Sequence, residues 1–419
     1  MKSIDVVSKK SSRQLDGGWL DNVARSLVLK TLAQIKFGYL VLEEKGEVHF
    51  FGDETSEIKA HISVNHPLVY RYVLFRGTIG SGEAYMHNAW WSPDLVQVIR
   101  LFVSNMSTLR NMDSGWSWVY KSLGSVGHRF RINSKSGSRK NISAHYDLGN
   151  DFFSLFLDDT KLYSAAIFSD KAKTLEEASL NKLAHICKRL NLSDRDHLLE
   201  IGTGWGGMAV YAAKNTGCRV TTVTISKEQY DYARAWVKRE GLENKIDVRL
   251  QDYRELSGKF DKIVSIEMVE AVGYQYYSRF FSLCSQLLNE DGLMLMQAIT
   301  IQDQRYARER DRADFIQTYI FPGGCLPSNE IIAQHVSADT NMQIVGVEDI
   351  TLDYAKTLSE WKQRFFASLD EVKAQGFDEV FVRMWDFYLS YCEGGFRERV
   401  ISTAQFLFAK PRCRALPSV

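Results

Sequence analysis

One stretch constrains the fold of this chain more than any other. Gly202-Thr203-Gly204-Trp205-Gly206-Gly207 stands between the apolar run His197-Leu198-Leu199-Glu200-Ile201 and a helical pattern from Met208. Glycines at alternate positions let a backbone turn sharply out of a strand and offer its amides, with the helix N-terminus, to a polar or anionic ligand. The surroundings continue the same alternation. A helical stretch from Leu175 precedes this strand, and further strand-like runs begin at Arg219, Ile246, Lys262 and Gly292, with a helical segment from Lys227. Strands separated by helices of this length predict a parallel sheet covered on both faces, an α/β fold.

The glycine run satisfies both G-x-G-x-G and G-x-G-x-x-G, so alone it fits either an S-adenosylmethionine site or a dinucleotide site. A dinucleotide enzyme usually places an acid near the end of the second strand to hold a ribose. Here that strand ends Val223-Thr224-Ile225-Ser226, and the nearest acid, Glu228, falls in the next helix. Many methyltransferases also carry an acid there. Glu200, two residues before Gly202, is placed to accept loop amides or to reach a ligand's amino group through water. After the third strand, Asp252 offers an acceptor for an exocyclic amine and Tyr253 a ring for adenine. Together these favour S-adenosylmethionine.

The rest of the chain frames that core. With 419 residues there is room for two or three domains. Residues 1–18 are polar and expected to be frayed. From Leu20 to about Ser104, short strand-like runs and helical stretches read as a small α+β domain, so 1–120 is assigned to it. Residues 121–140 carry six Lys and Arg without an acid, which reads as a basic linker or as a strip that meets anionic lipid headgroups. Residues 141–419 are assigned to the α/β domain, with 301–340 read as an inserted helical cap. Within the cap, Phe315–Phe321 reads either as lining for an apolar channel or as ordinary core.

Charge balance excludes some classes. Lys and Arg total 52 against 51 Asp and Glu, which argues against a nucleic-acid binder. No run approaches the length of a membrane-spanning helix, and no apolar signal core follows Met1. The six cysteines form no CxxC pair and no zinc spacing, so no metal site is expected and a reducing, cytoplasmic setting is.

Several ordered runs together resemble the cyclopropane-fatty-acyl-phospholipid synthase family of class I methyltransferases. They are His145-Tyr146-Asp147-Leu148-Gly149-Asn150-Asp151-Phe152-Phe153, Leu199 through Gly206, Thr224-Ile225-Ser226-Lys227-Glu228-Gln229, Met268-Val269-Glu270-Ala271-Val272-Gly273, and Tyr319 through Ser328. Weaker likeness extends to Gly394-Gly395-Phe396-Arg397 and back to Gly82-Glu83-Ala84-Tyr85-Met86. The resemblance implies a Rossmann-like, mostly parallel seven-stranded sheet with a helical cap, and a methyl group donated to a cis double bond in a lipid acyl chain. It implies cofactor contacts from Tyr163, Ser164, Gly202, Gly204, Gly206, Thr224, Ser226, Gln229, Asp252 and Tyr253. The lack of a ribose acid is itself a trait of this family.

An alkene is a weak nucleophile, so such a site must align it with the sulfonium methyl and exclude water. The resulting carbocation needs aromatic faces or an anion nearby, and a base must then remove a proton. The family's cyclopropane-forming members hold bicarbonate as that base with a Glu, a Cys, a His, an Ile and a Tyr. Here the resemblance places Glu270, Ile299 and Tyr354 in these roles, but Ala165 replaces the Cys, Gln297 replaces the His, and Ala271 follows the glutamate in place of another His. Bicarbonate is therefore left open, with Glu270 or a water it positions as the alternative base. Cys392 occupies a position sometimes proposed as nucleophilic in the family; methyl transfer to an alkene needs no covalent enzyme intermediate, so its expected role is structural.

The expected partners are unsaturated phospholipid acyl chains at the inner face of a membrane, met peripherally, and family resemblance adds a homodimer. A cofactor-tethered lipid-binding module without catalysis and a nicotinamide-dependent reductase are the competing readings.

Overall fold

In the C-terminal part of the chain the strands alternate their apolar side chains between two separate cores, as both faces of a covered sheet require. Leu199 and Ile201, Met294 and Met296, Phe406 and Phe408 enter one core with Phe280, Phe281 and Ile332. Their neighbours Leu198, Leu293, Leu295 and Leu407 enter the other with Leu183, Ile186, Met208 and Ala209. The computed structural model describes residues 18–110, 148–414 and 416. The polar N-terminal residues before Gly18, the basic strip at 121–140 and the His145-Tyr146-Asp147 run lie outside them. By its internal contacts the chain divides into two units, Met1–Tyr120 and Lys121–Val419.

The second unit carries a seven-stranded sheet. Strands β5 (His197–Ile201), β6 (Arg219–Thr224), β7 (Ile246–Leu250), β8 (Phe260–Ile266), β9 (Leu288–Ile301), β10 (Gln343–Asp349) and β11 (Ile401–Ala409) take the order β10-β11-β9-β8-β5-β6-β7. The pairs from β7 across to β9 are parallel, while β11 runs antiparallel to both its neighbours. The order reverses between β5 and β8, the crevice where such sheets hold ligands. The expected sheet is present, and one interior strand is longer than the sequence pattern marks: β9 begins at Leu288 rather than Gly292.

Local chemistry starts the helices. Leu175–Arg189 begins with a capping box in which Thr174 Oγ1 accepts from Glu177 N and Glu177 accepts from Thr174 N. Lys227–Arg239 is capped by Ser226. Gly207–Thr216 differs: its N-cap is Gly206 at φ +99°, with no side chain capping it. Its first amides stay available to a ligand. Between β9 and β10 lie Asp303–Glu309, Phe315–Tyr319 and Asn329–Asp339. Phe315 is fully buried against Phe387, at 4.6 Å between centroids, and is core. Two longer helices, Thr351–Ala367 and Glu379–Arg397, precede β11.

The first unit is a four-stranded sheet of order β2-β1-β3-β4, from Tyr39–Glu44 (β1), Glu47–Gly52 (β2), Lys59–Val64 (β3) and Trp90–Trp91 (β4). Lys45 and Gly46 both have positive φ, which closes β1 onto β2 as a two-residue hairpin. Helices Trp19–Leu32, Leu68–Met86, Leu95–Ser104 and the short Met106–Arg110 accompany the sheet in this α+β unit. Among the described residues no helix is long and apolar enough to cross a membrane.

Candidate active site

The glycine loop is a tight turn held by its neighbouring strand. Gly202 N and Thr203 N both donate to Val223 O at 3.1 Å, and Gly206 N donates to Thr203 O at 2.9 Å. Gly202, Gly204 and Gly206 have φ of +100°, +52° and +99°, conformations that a side chain resists. A Cβ on Gly204 would meet nothing within 4 Å, so the loop opens onto free space there. At Gly202 it would come within 3.2 Å of the Met268 side chain, which brings the end of β8 against the loop.

Glu200 is buried on β5, and burial pushes its carboxyl up to about 8 against the pull of a Thr222 hydrogen bond. It takes that bond from Thr222 Oγ1 at 2.6 Å, and Thr222 Oγ1 lies 2.7 Å from Thr203 Oγ1. One hydroxyl carries one proton, so Thr222 donates to Glu200 and accepts from Thr203. The expected bonds from loop amides are thus replaced by a side-chain relay into the loop. At the end of β6, Thr224 Oγ1 donates to Gln229 Oε1 at 3.0 Å and accepts from Ser226 N at 3.1 Å. With Gln229 Oε1 engaged, its amide NH2 is the group left to meet a ligand hydroxyl. Asp252 is buried and held bidentately by Arg254, Nε at 2.9 Å and Nη2 at 2.6 Å, so any amine would share it with a guanidinium. Tyr253 packs edge-on against Phe280 at 5.7 Å between centroids.

Across the reversal point, two carboxylates follow β8. Glu270 Oε1 accepts from Ile299 N at 2.5 Å, while its Oε2 is buried with no hydrogen-bond partner among the described residues. Burial, followed by repulsion from Glu267, lifts Glu270 to about 8. Its carboxylate is turned to β9, which is not the geometry of a cap on the following helix. Glu267 was not singled out by the sequence reading, yet it is the hub. Oε1 accepts from Ala165 N at 2.9 Å and from Gln297 Nε2 at 2.8 Å, and Oε2 accepts from Tyr354 OH at 2.8 Å. Burial raises its pKa, opposed chiefly by the charge of buried Lys182. Lys182 itself is pushed down to about 8 by burial and donates to Ser164 Oγ at 2.6 Å.

Gln297, Tyr354 and the Ala165 amide therefore converge on Glu267, and the Ile299 amide holds the neighbouring Glu270, so all four positions already face a carboxylate of the chain itself. The groups expected to hold bicarbonate do not fit it as a resident anion, because Glu267 already uses the Ala165 amide, the Gln297 NH2 and the Tyr354 hydroxyl.

Aromatic rings wall this region. Tyr163 OH lies 2.8 Å from Tyr388 OH, and the Tyr163 ring packs on Trp361 at 5.1 Å and Phe153 at 5.2 Å. Phe321 of the cap lies 6.2 Å from Tyr163 and 6.1 Å from Tyr388. Tyr354 stacks on Phe396 at 4.6 Å. Cys392, one turn from Tyr388, has its thiol pushed well up by burial and then by Asp314, which suits a structural thiol and not a thiolate. Gln405, Trp361 and Tyr388 were also missed; a lone Gln in the apolar strand Ala404-Gln405-Phe406 was the available signal for the first.

Residues 133–406 match the family model described as mycolic acid cyclopropane synthetase. The chain is 37% identical over 357 residues to the cyclopropane-fatty-acyl-phospholipid synthase of Escherichia coli, covering 84% of this chain and 88% of that protein. It is 36% identical over 337 residues to the tuberculostearic acid methyltransferase UfaA1 of Mycobacterium tuberculosis, covering 79% and 78%. Among solved structures, the mycolic acid cyclopropane synthase CmaA1 complexed with SAH and CTAB superposes with a TM-score of 0.60 at 33% identity, covering 65% of this chain and 98% of that one.

Proposed function

The chain belongs to the mycolic acid cyclopropane synthetase family and is an S-adenosylmethionine-dependent methyltransferase acting on lipids; from that premise we propose that it methylates the cis double bond of unsaturated acyl chains in membrane phospholipids. The reductase reading that the glycine loop allowed falls with family membership, and so does the non-catalytic module.

The observation that carries the substrate reading is the juxtaposition of a glycine loop, open at Gly204, with a carboxylate pair walled by Tyr163, Trp361, Tyr354 and Tyr388. When bound, the cofactor supplies an electrophilic sulfonium methyl. The loop amides of Gly204 and Gly207, the Gln229 amide and Asp252 are the groups placed to hold it; Glu200 sits where it can answer a ligand's positive charge through the Thr222–Thr203 relay. The aromatic faces exclude water from the alkene and stabilise the carbocation that methylation leaves on the chain. The carboxyl pair at the end of β8 supplies negative charge beside that cation and an acceptor for its proton.

The lipid is met at a membrane surface, with the protein bound peripherally from the cytoplasmic side. Trp19, Leu20 and Val23 support this: they stand exposed on the first turns of Trp19–Leu32, where apolar side chains can enter an interface. Vesicles of cis-unsaturated phospholipid, incubated with methyl-labelled S-adenosylmethionine, should yield extracted lipid that carries the label and the added mass of one CH2. Saturated phospholipid should stay unlabelled. Label in both, or in neither, would refute the assigned substrate.

A further inference from the structure

We propose that the Glu267 carboxylate is the proton acceptor of this reaction, built into the chain where an inorganic anion would otherwise be seated. The proposal rests on the alkene-methylation reading above and names the base within it.

Three donors from separate elements converge on one carboxylate: the Ala165 amide, the Gln297 NH2 on β9 and the Tyr354 hydroxyl on Thr351–Ala367. Such a convergence is an anion seat, and its occupant is covalently part of the protein. The backbone points the same way. Glu267 has φ +47° and its N–H donates to Gln297 O at 2.8 Å. A non-glycine residue in the left-handed region is strained, and such strain collects at functional sites. Glycine would turn the chain there freely, so what the strained turn delivers is the side chain. Its placement is apt: Met268, the next residue, lies against Gly202 of the cofactor loop, and Tyr354 joins the aromatic wall through Trp361 and Phe396.

The groups facing this pair decide which carboxylate is ionised. Glu267 has three donors and the attraction of Lys182; Glu270 has the Ile299 amide and the repulsion of Glu267. The charge of Glu267 opposes ionisation of Glu270, so Glu270 keeps its proton and Glu267 is the base. In the step itself, the alkene π pair forms the bond to the methyl carbon while the C–S pair stays on sulfur. A proton then leaves the new methyl or an adjacent chain carbon for a Glu267 oxygen. The freed C–H pair closes a cyclopropane or forms a new C=C bond, and Glu267, now neutral, later returns the proton to water.

The test compares wild type, Glu267→Gly and Glu267→Gln in buffer purged of carbon dioxide and in buffer with added bicarbonate, reading labelled methyl in phospholipid and the thermal shift given by S-adenosylhomocysteine. Glycine suits φ +47°, and glutamine preserves the volume, so at least one variant retains the fold. Wild type should turn over equally in both buffers. Both variants should keep the thermal shift and lose roughly 10²–10⁴-fold in turnover, the usual worth of a general base. Bicarbonate should restore part of the rate in Glu267→Gly, whose seat is vacated, and not in Glu267→Gln. Wild-type turnover that needs bicarbonate, or a folded variant within a few fold of wild type in purged buffer, overturns the proposal alone. A wild type that labels no unsaturated phospholipid in either buffer overturns the substrate reading and the proposal with it.

Discussion

Gln405 and Gln297 face one another across the antiparallel pair β9–β11, and Gln405 Nε2 donates to Gln297 Oε1 at 3.0 Å. That bond decides which end of the Gln297 amide points at Glu267. With Oε1 engaged, Nε2 is left to donate to Glu267 at 2.8 Å and to Ala165 O at 3.3 Å. The reverse orientation would set an amide oxygen against a carboxylate. Gln405 thus acts as a positioning residue. In Gln405→Leu, kcat should fall by about 1–2 kcal/mol of activation free energy, roughly tenfold, with cofactor affinity unchanged. Steady-state kinetics and a cofactor titration read the two separately, and an unaltered kcat would show that Gln297 needs no such support.

Tyr354 contributes a ring and a hydroxyl that can be separated. Tyr354→Phe keeps the stack on Phe396 but removes the donor 2.8 Å from Glu267 Oε2. A donor to the charged form lowers a carboxyl's pKa, so its loss raises the pKa of Glu267. The acid limb of the kcat–pH profile should therefore move to higher pH, and the plateau should fall by roughly tenfold. The melting temperature should drop only modestly, since the ring packing persists. If the profile keeps its position, the hydroxyl is not tuning the base.

Much of this site was legible because its signals are local. The glycine loop and strands β5–β7 are written in runs of five or six residues whose period of two survives any tertiary context. Glu270, Gln297 and Tyr354 were found through ordered resemblance. Glu267 was not, because Ile266-Glu267-Met268-Val269-Glu270 offers two acids three residues apart and nothing local says which faces the ligands. Only the left-handed turn at Glu267 and the register of β8 with β9 bring its carboxylate onto the Gln297 and Tyr354 donors. Gln405 escaped for a related reason: its partner lies 108 positions away in sequence, across an antiparallel pairing. In the first unit, the parallel pairing of β1 with β3 is equally non-local, so the sequence announced an α+β unit but not its strand order.

The buried thiol at Cys392 makes a contrasting case. Burial and the nearby Asp314 hold it protonated, so it offers neither nucleophile nor base at neutral pH. Cys392→Ala should therefore turn over at the wild-type rate, with a small loss of melting temperature from the missing sulfur contacts. Thiol-alkylating reagent should likewise leave the folded enzyme active. Loss of turnover in a variant that still binds S-adenosylhomocysteine would return the sulfur to the chemistry.

Glu200 ties stability, pH and cofactor binding together. Its carboxyl is raised from 4.5 in the unfolded chain to about 8 in the fold. Between those values the folded protein keeps a proton that the unfolded chain releases. The stability this proton linkage contributes is complete below the unfolded pKa and is lost as pH rises through the folded pKa. Glu270 adds a contribution of the same sign. Melting temperature should fall as pH rises across this window, and Glu200→Gln should flatten the fall without abolishing it. A positively charged ligand next to the loop favours the ionised form, so cofactor binding near neutral pH should expel a proton. Calorimetry in two buffers of different ionisation enthalpy measures that release directly. Wild type should show it and Glu200→Gln should not; equal release from both would place the titrating group elsewhere.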